Sequence, residues 1–204
     1  IIIFGSGTLA YLSSKVDSLN IDRIMSVFEK DSQDEESLSG KTGDATILFM
    51  SVSSTKTAET GEKEIYFMVL AKADADDGEI RICPIAVKDS YLKSFEAGGE
   101  NEVVNAVSRD YGIDIDRYVS SDENTFALAI NYMDGVEYTV PERIEYRTED
   151  LTLILTPGRQ TIKGESMLKY LKYFKENGLE GQADLFCAMA ENYFTPENME
   201  NPMK

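Results

Sequence analysis

The chain has 204 residues, 42% of them hydrophobic and 28% charged, which suits one folded domain with a short arm and not a disordered chain. Its 37 acidic against 20 basic residues give a formal net charge of −17; such a surface repels phosphates and anionic headgroups, so no nucleic-acid partner is expected. There is no histidine, which removes Ser-His-Asp triads, Cys-His pairs and histidine-containing zinc sites.

The run from Ile1 to Leu12 is apolar but shorter than the ~20 residues of a membrane span. It reads as the trailing end of a span or as the start of a buried strand. No basic segment precedes it, so it is not a complete signal peptide. Gly5, Gly7 and Ala10 have the G-x-G-x-x-A spacing of a dinucleotide fingerprint, but no second strand ending in an acid follows, and the span or buried-element reading is preferred. Leu9, Leu12, Val16 and Leu19 fall at helical spacing and predict a helix. The stretch 31–44 is rich in Ser, Asp, Glu and Gly and reads as a linker. This divides the chain into an arm, 1–44, and a domain, 45–204.

Ala45–Val52 is a continuous apolar run and predicts a buried strand, followed by a polar loop over 53–64. Strands are predicted over 65–70 and 79–87, with Asp77-Gly78 between them as the tip of an antiparallel hairpin. Val103, Val104 and Val107 predict a helix over 100–111, ended by Gly112. A short strand is expected near Tyr118. Ser120 to Glu123 has the spacing of a capping box, with Ser120 as cap, opening a helix that carries Phe126, Ala129, Ile130 and Met133. Strands over 135–140 and 151–155, a turn at Pro157-Gly158, and helices through Met167–Phe174 and Leu185–Met189 complete the pattern. The mixture predicts an α/β fold: a mixed sheet covered by helices in an α/β/α-like, three-layer arrangement, with at least one antiparallel hairpin.

Three short patterns have a chemical reading and a plainer one. Asp74 to Glu79 resembles a calcium loop, but Gly78 is fifth and Ile85 twelfth, against the EF-hand's Gly at six and Glu at twelve; a charged hairpin tip fits better. Gly98-Gly99 before a helix offers backbone N–H groups to a phosphate, but Glu100 would oppose an anion. Lys88, Asp89 and Ser90 close a strand and suit either a phosphate or metal-water site or a surface ion pair. Cys83 and Cys187 lack metal spacing and read as buried apolar residues in a strand and a helix.

Several runs, in order, resemble the LytR–CpsA–Psr family of cell-envelope proteins over about 45–193. Gly98-Gly99 is followed by a helix and by Gly112-Ile113-Asp114-Ile115-Asp116-Arg117-Tyr118, which is similar to the family's Gly-Ile-x-Ile-Asp-x-Tyr. Phe126 to Val140 matches its Phe, hydrophobic stretch and Gly-Val-x-Val. Leu155 to Glu165 matches its Leu-x-x-Gly-x-Gln-x-Leu-x-Gly. The resemblance implies an N-terminal membrane helix and an extracytoplasmic α/β/α domain. It also implies transfer of a glycopolymer from a polyprenyl-diphosphate carrier, with arginines on the diphosphate, aspartates on Mg²⁺ and an apolar tunnel for the prenyl chain.

The charged positions depart from that pattern. The family's Gly-x-Asp falls on Ser51-Val52-Ser53, its Arg-x-Asp-Thr on Lys63-Glu64-Ile65-Tyr66, and its Pro-Arg-Asp-Thr on Val87-Lys88-Asp89-Ser90. Its Arg-Tyr-Arg falls on Lys172-Tyr173-Phe174, and both arginines of its last motif are lost near Gln182 and Leu185-Phe186. The segment 90–98 is short. A diphosphate leaving group needs preplaced positive charge, and Lys lacks the bidentate fork of Arg. The expectation is a degenerate, non-catalytic relative, anchored in the membrane and outside the cytoplasm. It would bind a polyprenyl-phosphate-linked or other cell-wall ligand through Lys63, Lys88, Asp89 and Lys172, with no cofactor. The alternatives are an active phosphotransferase, which alone would need Mg²⁺, and a protein-interaction module without a lipid site.

Overall fold

The computed structural model describes residues 12–15, 45–53, 63–74, 79–148 and 151–193. A five-stranded sheet lies at its centre, in the order β1-β4-β3-β2-β5. Its strands are β1 (Leu12–Lys15), β2 (Ala45–Val52), β3 (Ile65–Asp74), β4 (Glu79–Pro84) and β5 (Arg117–Ser121). Only β2 and β5 pair in parallel; β1, β4, β3 and β2 are antiparallel neighbours. The hairpin expected around Asp77-Gly78 is present, with Asp74 opposite Glu79.

Alternation along the strands divides the interior in two. Leu48, Met50, Met68, Leu70, Cys83 and Ile85 face α1 (Asp89–Gly98) and α2 (Glu100–Tyr111), where Tyr91, Val103 and Val107 complete a buried cluster. Phe67, Val69, Ile80 and Ile82 face α3 (Glu123–Tyr132), α4 (Gly164–Asn177) and α5 (Glu180–Tyr193), with Phe126, Met167, Leu171 and Leu185. The sheet is therefore covered on both faces, as the α/β/α reading expects. Each fully buried Leu, Ile or Met contributes about 1.5–3 kcal/mol. Cys83 and Cys187 are free buried thiols in opposite cores, and burial pushes them up to about 11 and about 12. Two small antiparallel sheets flank the second core: β6 (Val136–Val140) with β9 (Gly158–Ile162), and β7 (Ile144–Arg147) with β8 (Thr152–Leu155).

The motifs that carried the resemblance have structural work in this fold. Asp116 clamps the entry of β5 to β2: its carboxylate accepts from Thr46 N–H at 2.8 Å, and its own N–H donates to the Thr46 carbonyl at 2.9 Å. Gly112 ends α2 in the left-handed conformation, φ 64° and ψ 37°, which glycine adopts without penalty. The Gln160 amide donates to the Thr156 carbonyl at 2.6 Å across the turn before β9. Gly164 opens α4 against Ala127 of α3 so closely that a Cβ would lie 2.6 Å from the Ala127 carbonyl carbon.

Some expectations are corrected. Leu12–Lys15 is an edge strand and not helix, because the open edge of β4 supplies hydrogen-bond partners that helical spacing does not anticipate. The other residues of the predicted helix, the Gly5–Ala10 motif, the predicted linker and the hairpin tip 75–78 lie outside the described residues. The cap of α3 is Asp122, whose carboxylate accepts from Thr125 N–H at 2.7 Å; Ser120 cannot cap because β5 claims it. The third strand ends at Pro84 and not at Val87. Helix α1 and strands β7 and β9 were not anticipated.

Candidate functional site

β2 and β5 run in parallel to one end of the sheet, where β3 begins. A β-bulge marks this end. Ser51 pairs with Phe67 and Val52 with Ile65, which leaves Tyr66 as the extra residue. The bulge sends Ile65 into the α1–α2 core while Tyr66 and Phe67 both belong to the other. Below it, the Ser53 hydroxyl accepts from Glu64 N–H at 2.7 Å and Ser53 N–H donates to the Glu64 carbonyl at 2.7 Å.

A cleft of about 330 Å³ opens beside this end, lined by Val52, Ser53, Lys63, Phe95, Glu100, Ser120, Ser121 and Asp122. Lys63 Nζ lies 5.7 Å from the centre of the Phe95 ring. The Ser120 hydroxyl donates to Glu100 at 3.2 Å. The Asp122 carboxyl is held below its ordinary range, chiefly by the Thr125 N–H and also by Lys63. Among the described lining residues, one lysine meets two carboxylates, so the formal charge is 1 − 2 = −1.

The four expected ligand residues do not converge. Lys63 is in the cleft. Lys172, on α4, reaches the same end of the sheet from the opposite face, with Nζ 3.8 Å from the centre of the Tyr66 ring. Burial, then the carboxylates of Glu123 and Glu64, pushes the Tyr66 hydroxyl up to about 12. One turn on, Lys175 donates to Glu64 at 2.6 Å and to the Ile65 carbonyl at 3.1 Å. Lys88 and Asp89 stand at the far end of the α1–α2 pair. Lys88 Nζ donates to Asp110 at 2.8 Å and lies 5.2 and 5.8 Å from the Tyr91 and Tyr111 ring centres. Glu100 to Asp110 spans about 15 Å of helix at 1.5 Å per residue, which sets Lys88 well away from the cleft. Asp89 is exposed at the first position of α1.

The positions that the family resemblance assigns to Mg²⁺ do not fit that ion. Ser53 is a neutral hydroxyl already engaged with Glu64 N–H, and Ile65 is a fully buried hydrocarbon. Among the described residues, no group of three or more His, Cys, Asp and Glu is placed to hold a metal. The space between the sheet and α3–α5 is occupied by aromatic rings: Phe67 meets Phe126 and Phe186 edge-on at 5.0 and 5.2 Å, and Tyr170 stacks on Phe174 at 4.4 Å. Two cleft residues, Glu100 and Asp122, were not anticipated as site residues. The opposition of Glu100 to an anion was readable beside Gly98-Gly99, whereas Asp122 read only as part of a capping motif.

Residues 28–185 match the LytR_cpsA_psr family. The chain belongs to this family. Solved structures of LytR_cpsA_psr proteins have the same fold. TagV from B. subtilis is 21% identical, with a TM-score of 0.60, over 76% of this chain and 66% of TagV. TagT bound to LIIa-WTA is 17% identical, TM-score 0.58, over 78% and 67%. TagT with bound octaprenyl pyrophosphate lipid is 14% identical, TM-score 0.51, over 78% and 68%. The chain thus spans about two thirds of these proteins. Comparison with curated protein sequences found no match. Among the described residues, no helix is long and apolar enough to cross a membrane.

Proposed function

We propose that this LytR_cpsA_psr domain is a cell-envelope binding module that holds a cell-wall ligand in the cleft and does not transfer it. The observation that carries this reading is the disposition of positive charge. Lys88 is ion-paired to Asp110 at the far end of α2, Lys175 is paired to Glu64, Lys172 lies over Tyr66, and Lys63 faces two carboxylates across the cleft. Phosphoryl transfer from a diphosphate depends on cations aimed at the developing charge. The family features that persist here, at Gly112, Asp116, Gln160 and Gly164, are those that build the scaffold. The domain works outside the cytoplasm, tethered through an N-terminal anchor of the full-length protein. The TagT structures with bound LIIa-WTA and with bound octaprenyl pyrophosphate lipid support the ligand class.

The filled space around Phe67, Phe126 and Phe186 favours a second reading, a protein-interaction module with no lipid site. A thermal-shift titration separates the two, using a cell-wall glycan alone and the same glycan on a short polyprenyl diphosphate. A ligand at 100 times its dissociation constant stabilises the fold by about 2.7 kcal/mol. The binding reading expects stabilisation that Lys63→Gln weakens. No shift with either ligand contradicts it and leaves the interaction reading.

A further inference from the structure

Two helix N-termini open on the cleft: α2 begins at Glu100 and α3 at Glu123, directly after Asp122. The unpaired N–H groups and dipole of such ends attract anions. Here the chain supplies the anions itself. Asp122 caps α3 through Thr125 N–H at 2.7 Å, and Glu100 sits in the first turn of α2, fixed by the Ser120 hydroxyl at 3.2 Å. Both carboxylates line the same cleft, whose one described cation, Lys63, lies 5.7 Å from the centre of the Phe95 ring. The other polar side chains among the described lining residues are hydroxyls, from Ser53, Ser120 and Ser121. Among the described lining residues, a phosphate entering this cleft would meet two carboxylates against one lysine, and at α3 a helix end that Asp122 already caps.

We infer that Glu100 and Asp122 are specificity-determining residues: their carboxylates occupy the anion positions of the cleft and exclude phosphate, so that the cleft takes an uncharged, hydroxyl-bearing part of its ligand. The inference rests on the reading of the cleft as a ligand site and narrows what enters it. Lys63 balances part of the carboxylate charge and is not left to bind a diphosphate.

The test is isothermal titration with inorganic pyrophosphate of the wild type, Glu100→Gln, Asp122→Asn, the double variant, and the double variant with Lys63→Gln. Asn caps a helix as well as Asp, and Gln keeps an acceptor for Ser120, so the variants retain the local bonds. Thermal melts confirm that each is folded. The wild type should show no pyrophosphate binding. Each single variant should gain some. The double variant, with Lys63 the one formal charge left among the described lining residues, should bind roughly tenfold or more tightly than either, in a salt-sensitive manner that Lys63→Gln abolishes. Wild-type binding as strong as that of the double variant overturns the inference, as does a folded double variant that gains nothing. Both outcomes are separate from the glycan titration: loss of glycan stabilisation removes the binding function whatever pyrophosphate does.

Discussion

Phe67→Ala asks whether the space between the sheet and α3–α5 is truly filled. The Phe67 ring is 2% exposed and touches Phe126 and Phe186 edge-on. Truncating a buried Phe costs about 3–5 kcal/mol, and each lost aromatic pair accounts for about 0.5–1.5 kcal/mol beyond the area. A loss near 4 kcal/mol is therefore expected, against a total stability of about 5–15 kcal/mol. At about 2–4 °C per kcal/mol for a chain of this size, Tm should fall by about 8–16 °C. Urea unfolding followed by circular dichroism should show a lower midpoint with an unchanged slope. A loss below about 1 kcal/mol would contradict a filled core at this position. It would mean that the ring borders open space, and an apolar tunnel for a prenyl chain would then be available after all.

Gly164→Ala should destabilise by about 1–3 kcal/mol in the same assay, because the new methyl meets backbone atoms of Ala127 that cannot yield as a side chain would. Asp122→Ala should cost about 1 kcal/mol at neutral pH through loss of the α3 cap, while Asp122→Asn should cost little. The Asp122 carboxyl is depressed in the fold, so its contribution is fully present above the ordinary Asp value of about 3.9 and is lost as pH falls through the folded value. The wild type and Asp122→Ala should accordingly converge in stability in acid unfolding curves.

The sheet and its principal helices were readable because their signals are local. Ala45–Val52 is an unbroken apolar run, and the valines of α2 repeat at helical spacing up to a glycine. Helix α1 was hidden because only Tyr91 of its side chains is fully buried, so its apolar stripe is thin. β9, with Gly158-Arg159-Gln160-Thr161, carries no apolar alternation and becomes a strand only through β6. The cap was placed two residues early because a Ser-x-x-Glu pattern cannot reveal that β5 needs Ser120 for pairing with β2. At the site, the resemblance set lysines at Lys63, Lys88 and Lys172 where the family pattern has arginines. What the sequence could not show was where the replacement lysines go, since the Lys88–Asp110 pair depends on how α1 turns back along α2.

Whether this LytR_cpsA_psr domain binds without transferring is decided by a turnover assay with Mg²⁺. The substrate is a polyprenyl-diphosphate-linked glycopolymer with a peptidoglycan acceptor, and an active family member runs in parallel. No Mg²⁺-dependent cleavage of the diphosphate bond and no glycopolymer on the acceptor are expected, under conditions where the active member transfers it. Mg²⁺-dependent release of the prenyl phosphate by this chain, abolished by Lys63→Gln, would contradict the account and establish the lysines as working substitutes for arginine.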